Sequence, residues 1–274
     1  MSHHASRRRV GRQIPATAIL VVALAVPIAP QAAEMSAEQV IEIVGAGTSA
    51  APADLSDKDL TGLDLSGVNF NSAIMDGADF SGATLSGANL QGATFRKATL
   101  EGTDLSKTNL DIAILRGANL KGAKLSGASA FGTIFAEADL SGADLRGARL
   151  ICNLDDATLD GAILDEAQMA ADMRNQPMGL MRVSLRNASL KGASLKGADM
   201  SRAMIEFADF TQANLTGANL MRADAAGADF TQADMTDSNL RKADLQRARF
   251  TGITGRDSIV DLDTAKNLGS AVFD

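Results

Sequence analysis

Residues suited to nucleophilic or metal chemistry are scarce in this chain. It holds two histidines, His3 and His4, and a single cysteine, Cys152. Both histidines fall in the first 33 residues, which we expect to be removed, so the mature chain would have no histidine for a catalytic triad or a metal site. Cys152 stands where the surrounding pattern requires a small inward residue, which favours a buried, unreactive thiol. The sequence predicts no catalytic residue and no metal ligand.

Glycines and carboxylates are frequent, but their spacing does not match a known site. Neither Gly-x-x-x-x-Gly-Lys-Ser/Thr nor Gly-x-Gly-x-x-Gly occurs, so we expect no cofactor-binding residue and no cofactor. Catalysis by an acid pair needs a cleft that raises the pKa of one carboxyl, and calcium binding needs a dense ligand loop. The regular spacing of the acids indicates neither. We therefore expect a protein that is not an enzyme.

The regular spacing comes from a five-residue word, Ala–(Asp/Asn/Thr)–(Leu/Phe)–x–Gly, which is clearest in residues 78–92. The bulky apolar residue recurs every five positions in three blocks, 55–150, 154–169 and, from position 180 or 185, up to 250. This period is neither the 3.6 of an amphipathic helix nor the 2.0 of a strand. A short period sustained over so long a run indicates a solenoid.

This array of words resembles the pentapeptide-repeat family, and the resemblance covers nearly all of residues 53–252. It implies an all-β fold, a right-handed quadrilateral parallel β-helix with four pentapeptides per coil and short helical caps. The bulky residue and the small residue two positions before it would both point inward. The glycine two positions after the bulky residue suits a corner that needs a positive φ.

The sequence divides into six predicted segments. They are, in order, a signal peptide (1–33), an N-terminal capping helix and linker (34–52), a first repeat block (53–170), an interrupting loop (171–184), a second repeat block (185–252) and a C-terminal cap (253–274). Ser36 and Gln39 form a capping box for the first helix, and a short helix is expected over residues 263–268. Some members of the family dimerise through their C-terminal ends, so a homodimer through the last segment is the alternative to a cap.

Residues 1–33 have the features of a secretory signal peptide, which would make this a secreted bacterial member of the family. Four arginines precede an apolar stretch of about 14 residues, and small residues follow it. The stretch is shorter than the ~20 residues needed to cross a bilayer, so no membrane span is expected after cleavage. The bulky apolar pair of a twin-arginine signal is missing, which favours the Sec route. We expect export to the periplasm or the extracellular space.

Loss of residues 1–33 removes four arginines and no acid, which changes the formal charge from −7 to −11. This charge disfavours direct nucleic-acid binding. The favoured function is an exported, non-enzymatic scaffold that presents a repetitive surface to a protein partner whose identity the sequence does not give. The alternative comes from the family resemblance, since some members mimic duplex DNA and bind type II topoisomerases. Export would separate this chain from such a target.

Residues 20 positions apart should stack one coil above another. Ile74, Ile114 and Ile134 then form an outward column that Thr94 interrupts. An outward apolar stripe could be a surface for a partner or for a second copy of the chain. Cover from the interrupting loop or from the N-terminal segment is an equally good explanation.

A second column is basic and consists of Arg202, Arg222 and Lys242, with Arg182 in register if the array already includes position 180. Like charges stacked at coil spacing repel each other unless they are paired. Asp224 and Asp244 stand two residues after a base, so ion pairs along the surface are favoured over a strip that binds anions.

Overall fold

The computed structural model describes Met1 and residues 34–48, 50–172 and 181–274. The chain divides into two compact units, Met1–Gln31 and Ala32–Asp274, and the solenoid lies in the second. The predicted signal peptide falls outside the described residues apart from Met1, as does most of the predicted interrupting loop. Within the described ranges, no helix has the length and apolar composition needed to cross a bilayer.

The second unit is a right-handed quadrilateral parallel β-helix, as the resemblance to the pentapeptide-repeat family implies. Each coil has four faces, and on each face residues pair with the coil above through parallel bridges, mostly at a spacing of 20. We number faces 1 to 4 by the columns that contain, in order, Ile74, Asp79, Thr84 and Asn89. Corner 1 follows face 1, and the other corners are numbered in the same way.

The core is a stack of buried leucine and alanine side chains. Within each word the bulky residue and the small residue two before it are buried, as in Ala98 and Leu100, while the residue between them points outward. Backbone groups of adjacent coils bond to each other, for example Leu100 N to Asn119 O at 2.6 Å. Face 2 differs near its C-terminal end, where Phe210, Phe230 and Phe250 stack with ring centroids 5.1 and 4.9 Å apart.

The corners depend on left-handed backbone and on the polar residue of the word. The residue two after the bulky one has a positive φ, whether it is a glycine, as at Gly82 (65°), or not, as at Glu137 (63°). The carboxylate of Asp79 accepts the backbone N–H of Ser81 at 2.8 Å, which fixes the entry to the corner. Recurrence of Asp or Asn in the word therefore has a structural reason.

Both irregularities of the array fall at corner 4. Asn153 pairs with Ile134, 19 residues earlier, and Ser184 pairs with Asn153, 31 residues earlier, where a regular coil has 20. The slip therefore shortens this corner by one residue, and the next coil carries an insertion at the same corner. Asp172 and Met181 form an antiparallel bridge at the base of that insertion. The predicted loop 171–184 extends too far, because Ser184 already belongs to the coil.

Helix α1, Ala37–Ala46, covers the first coil. Ser36 and Gln39 form the capping box that the sequence predicts, with each side chain bonded to the backbone of the other residue. Val40 is fully buried against the core. Before the helix, Glu34 N donates to Asp59 O at 3.1 Å, which attaches the segment to the repeat array.

The C-terminal segment forms a further coil. Its bridging residues are spaced by six, and they pair with the coil below at positions 254, 260, 266 and 272. The last pairing joins β1, Arg249–Phe250, to β2, Val272–Phe273. Three-residue 3-10 turns occupy the corners: Arg256–Ser258, Leu262–Thr264 and Leu268–Ser270. The prediction of a short helix over 263–268 is therefore wrong, because these residues continue the coil with a six-residue spacing after the five-residue words have ended.

The candidate functional site at corner 4

The residues that suggested chemistry in the sequence are held in unreactive surroundings. Cys152 is 4% exposed, and burial raises the pKa of its thiol. The hydroxyl and backbone N–H of Thr236 donate to Asp234 and hold the pKa of that carboxyl below its ordinary value. Nowhere in the described part of the chain do three or more acidic, histidine or cysteine side chains meet as a metal site would require. His3 and His4 lie outside the described residues.

Asp224 differs from Asp234 in that its pKa is raised above the ordinary value of a carboxyl. Burial raises its pKa, and so do the neighbouring charges of Glu206 and Asp244. A raised pKa suits a general acid, but Asp224 lines neither of the clefts of about 440 and 310 Å³ beside the insertion.

A thiol in these surroundings should be slow to react. We expect 5,5′-dithiobis(2-nitrobenzoate) to modify Cys152 at least about 100-fold more slowly in the native protein than in concentrated urea, because the thiolate is the reactive form. Absorbance at the thiolate product wavelength measures both rates. Equal rates would show that the native thiol is accessible and ionised, contrary to its burial.

Both predicted surface columns lie beside corner 4. Ile74, Ile114 and Ile134 occupy the outward position of face 1, directly after this corner, and pair in one column with Thr94 between them. Ile74 and Ile114 are half-buried, whereas Ile134 is 36% exposed. Thus the apolar column exists in the predicted register, and its exposure is greatest next to the insertion.

Three more apolar residues adjoin this patch, and sequence analysis did not identify them: Ile112 is exposed, Phe131 is half-buried and Ile151 is buried. Ile112 stands on corner 4 itself with φ 56° and is 55% exposed. Its backbone N–H donates to Phe131 O, and the N–H of Gly132 donates to Ile151 O, so these residues stack along the corner. Arg149 lies 4.7 Å above the Phe131 ring. The sequence feature that could have identified them is a bulky apolar residue at a position where other corners carry serine or glycine.

Two clefts flank the insertion, and Ile151 lines both. The face-4 cleft has a volume of about 440 Å³ and is lined by Arg149, Gln168, Asp172 and Asp199 among others.

The face-1 cleft has a volume of about 310 Å³, and its apolar wall consists of Ile134, Ile151, Met181 and Met204, with Arg182 and Arg186 beside them. The face-1 cleft therefore combines an apolar wall with basic groups, but Asp155 also lines it and Arg186 is paired with Glu206 at 3.0 Å.

The basic column comprises Arg182, Arg202, Arg222 and Lys242. Pairing of Ser184 with Met204 places Arg182 in register with the other three, and its Nη1 donates to Arg202 O at 3.4 Å. Arg202, Arg222 and Lys242 all have positive φ and stand on corner 4. The basic column thus continues the line of the apolar patch past the insertion.

The ion pairs expected along this column are not formed. Among the described residues, the ion pairs of the chain lie elsewhere, and none includes Arg202, Arg222 or Lys242. Asp244 is bonded instead to the neutral amide of Asn267 at 2.7 Å. The prediction of a surface laced with ion pairs is therefore wrong here: Arg222 and Lys242 are exposed and Arg202 is half-buried, and none of the three is paired with an acid of the described residues.

The acidic residues have a different distribution. Face 2 carries Asp59, Asp79, Asp139, Asp209 and Asp229 in one column. Several are paired with bases: Lys121 with Asp139, Lys191 with Asp209, and Arg249 with Asp229. Consequently this face does not present a continuous row of unpaired negative charge.

Comparison with known protein families identifies one family that matches this chain. The family model described as pentapeptide repeats matches residues 53–82, 73–111, 113–150, 180–217 and 218–254. No curated protein sequence is similar enough to count as a relative.

Solved structures with a similar chain include three pentapeptide-repeat or resistance proteins. HetL, involved in heterocyst differentiation regulation in the cyanobacterium Nostoc sp. strain PCC 7120, is 27% identical; the match covers 86% of this chain and 94% of HetL, with a TM-score of 0.43. A protein of the Arabidopsis thaliana thylakoid lumen is 36% identical over 35% of this chain and 68% of its own, with a TM-score of 0.35. QnrB1, a plasmid-mediated fluoroquinolone resistance protein, is 17% identical over 79% and 89%, with a TM-score of 0.44.

Proposed function

This chain belongs to the pentapeptide-repeat family, and we propose that it is an exported, non-enzymatic scaffold that binds a protein partner through corner 4. The observation that carries the proposal is the convergence of the apolar patch, the face-1 cleft and the basic column on one corner. The other large apolar side chains exposed on the described repeats, Ile163 and Phe207, lie on face 3 and corner 1. An exposed apolar patch next to unpaired charge is typical of a protein-binding surface.

A matched pair of variants tests the proposal. Ile134 on face 1 and Ile163 on face 3 occupy the same position of the word, and both are 36% exposed. We expect Ile134→Glu to reduce the amount of partner that co-purifies with the tagged protein at least about tenfold, because a charge placed in the apolar part of an interface weakens it strongly. Ile163→Glu should leave it unchanged. Equal losses, or no loss from Ile134→Glu, would refute the assignment of the surface.

Export is the second part of the proposal and needs its own measurement. The features of residues 1–33 support it, and these residues lie outside those that the structure describes. Cell fractionation with N-terminal sequencing should recover the protein from the envelope or medium, with a chain that starts near Ala33 or Glu34. Recovery of the intact N-terminus from the cytoplasm would contradict export.

The DNA-mimicry alternative receives less support. Mimicry of duplex DNA needs a continuous acidic surface, but bases pair with three of the acids on face 2, and Lys124 interrupts the acidic column of face 3. We expect the mature protein at micromolar concentration to leave the supercoiling activity of DNA gyrase unchanged. Inhibition or protection of the enzyme would favour this alternative.

A further inference from the structure

We infer that the partner segment bound at corner 4 is acidic and extended, and that it inserts an apolar side chain into the face-1 cleft. This inference rests on the proposed function, because it names the chemistry of the partner at the same surface. The basic column supplies the contacts for the acidic residues, and the cleft supplies the anchor.

The positive charge of the basic column favours a negatively charged ligand. Four bases are stacked in register, and three of them have no ion pair within the described chain. Asp224 forms no ion pair with Arg222, although it lies near enough to Arg182 for that base to lower its pKa. Stacked like charges repel each other, and a ligand of opposite charge relieves that repulsion. Because the whole chain has a formal charge of −7, the attraction is local and acts within about a Debye length of 8 Å.

The spacing of the column fits an extended peptide. From Arg182 to Lys242 there are three coil steps of roughly 4.8 Å each, or about 14 Å in all. An extended peptide of four to five residues has the same length at about 3.3 Å per residue. A short run of glutamates or aspartates can therefore contact all four bases at once.

The face-1 cleft distinguishes a protein ligand from other polyanions. Met181 and Met204 contribute to its apolar wall, and Arg182 belongs to both the cleft and the basic column. Methionine side chains adapt to varied apolar partners. Duplex DNA keeps its aromatic bases stacked inside the helix, and an acidic polysaccharide has no aliphatic or aromatic side chain, so neither offers a group for such a cavity. The combination of cleft and column therefore favours an acidic peptide segment that carries a residue such as leucine.

A palindromic probe peptide tests the inference, because its direction of binding is immaterial. We expect the fluorescein-labelled octapeptide Leu-Gly-Glu-Glu-Glu-Glu-Gly-Leu to bind the mature protein in fluorescence anisotropy. Replacement of its glutamates by glutamine should weaken binding at least about tenfold, and replacement of its leucines by serine at least about threefold. Salt should weaken binding of the acidic probe, since the contacts are exposed.

A matched pair of triple variants locates the site. Arg202→Glu, Arg222→Glu and Lys242→Glu together should lower the affinity for the probe at least about tenfold. The control changes Lys97, Lys107 and Arg247, which are exposed bases with positive φ on corners 1 and 3, to glutamate. It makes the same change in net charge and should alter the affinity less than about twofold. Glutamate is tolerated at such corners, since Glu137 and Glu166 already have positive φ.

Several results would overturn the inference. They are the absence of probe binding, equal losses in the two triple variants, no effect of removing the leucines, and binding of duplex DNA or heparin at the basic column as tight as that of the probe. The co-purification test reports on the native partner and needs no assumption that this partner is acidic. If that test succeeds and the probe fails, the proposed function stands and only the acidic character of the partner is refuted.

Discussion

Replacement of Phe230 by alanine is expected to lower the free energy of unfolding by about 3–5 kcal/mol. The ring is fully buried and lies between those of Phe210 and Phe250, with centroids 5.1 and 4.9 Å away. Truncation therefore removes a large apolar surface and two ring contacts, and it leaves a cavity that the regular backbone of the coils cannot close. Urea denaturation followed by circular dichroism measures the change.

Two further variants separate the contribution of the stack from that of any phenylalanine. Phe230→Leu should cost only about 1–2 kcal/mol, because Leu190 occupies the same column one coil below Phe210. Phe207→Ala removes a ring that is 68% exposed at corner 1 and should cost less than about 1 kcal/mol. A loss below 1 kcal/mol for Phe230→Ala would mean that the phenylalanine column does not stabilise this end of the solenoid.

Gly255→Ala should destabilise the last coil by about 2–4 kcal/mol. Gly255 has φ 73°, which already disfavours alanine, and a β-carbon there would lie 2.4 Å from the α-carbon of Thr236. Backbone cannot move aside as a flexible side chain can. Because each coil contacts only its neighbours, the loss should be confined to the C-terminal coil. Hydrogen exchange at Val260, whose N–H donates to Ser238 O, reports it.

Gly252→Ala provides the control within the same coil. Gly252 also has a positive φ, 66°, but the nearest atom to a β-carbon there is the side-chain Cγ of Gln232 at 3.5 Å, an ordinary contact. Only the conformational penalty of about 1 kcal/mol is expected. If exchange at Val260 accelerates equally in both variants, the close approach of Gly255 to Thr236 has no energetic role.

Most of the fold follows from the five-residue period together with the four words per coil that the family resemblance implies. The spacing of Leu85, Leu90 and their counterparts fixes the inward positions, and a spacing of 20 then fixes which outward residues stack, as for Ile114 and Ile134. The five-residue period did not predict the C-terminal coil. Its bridging residues, such as Val260 and Lys266, are six apart and lie between 3-10 turns, so they no longer show the pattern that marks a repeat.

The candidate site could be predicted only in part. In the sequence, its isoleucines and its bases form two sets of residues spaced by 20. The irregular length of the insertion between them does not indicate on which face of the coil the repeats resume. Pairing of Ser184 with Asn153 settles that point and places the basic column in line with the apolar patch. The missing ion pairs are likewise a matter of geometry, because Arg222 stands on the corner while Asp224 lies on face 1, partly buried near Glu206.

The most direct test of a partner-binding surface at corner 4 is photo-crosslinking in the native cell. p-Benzoylphenylalanine is placed at position 134 or, as the matched control, at position 163, and covalent adducts of the protein are compared after irradiation. We expect one discrete adduct with another protein from position 134 and none from position 163. Adducts of equal yield from both positions, or an adduct from position 163 alone, would contradict the assignment of corner 4 as the binding surface.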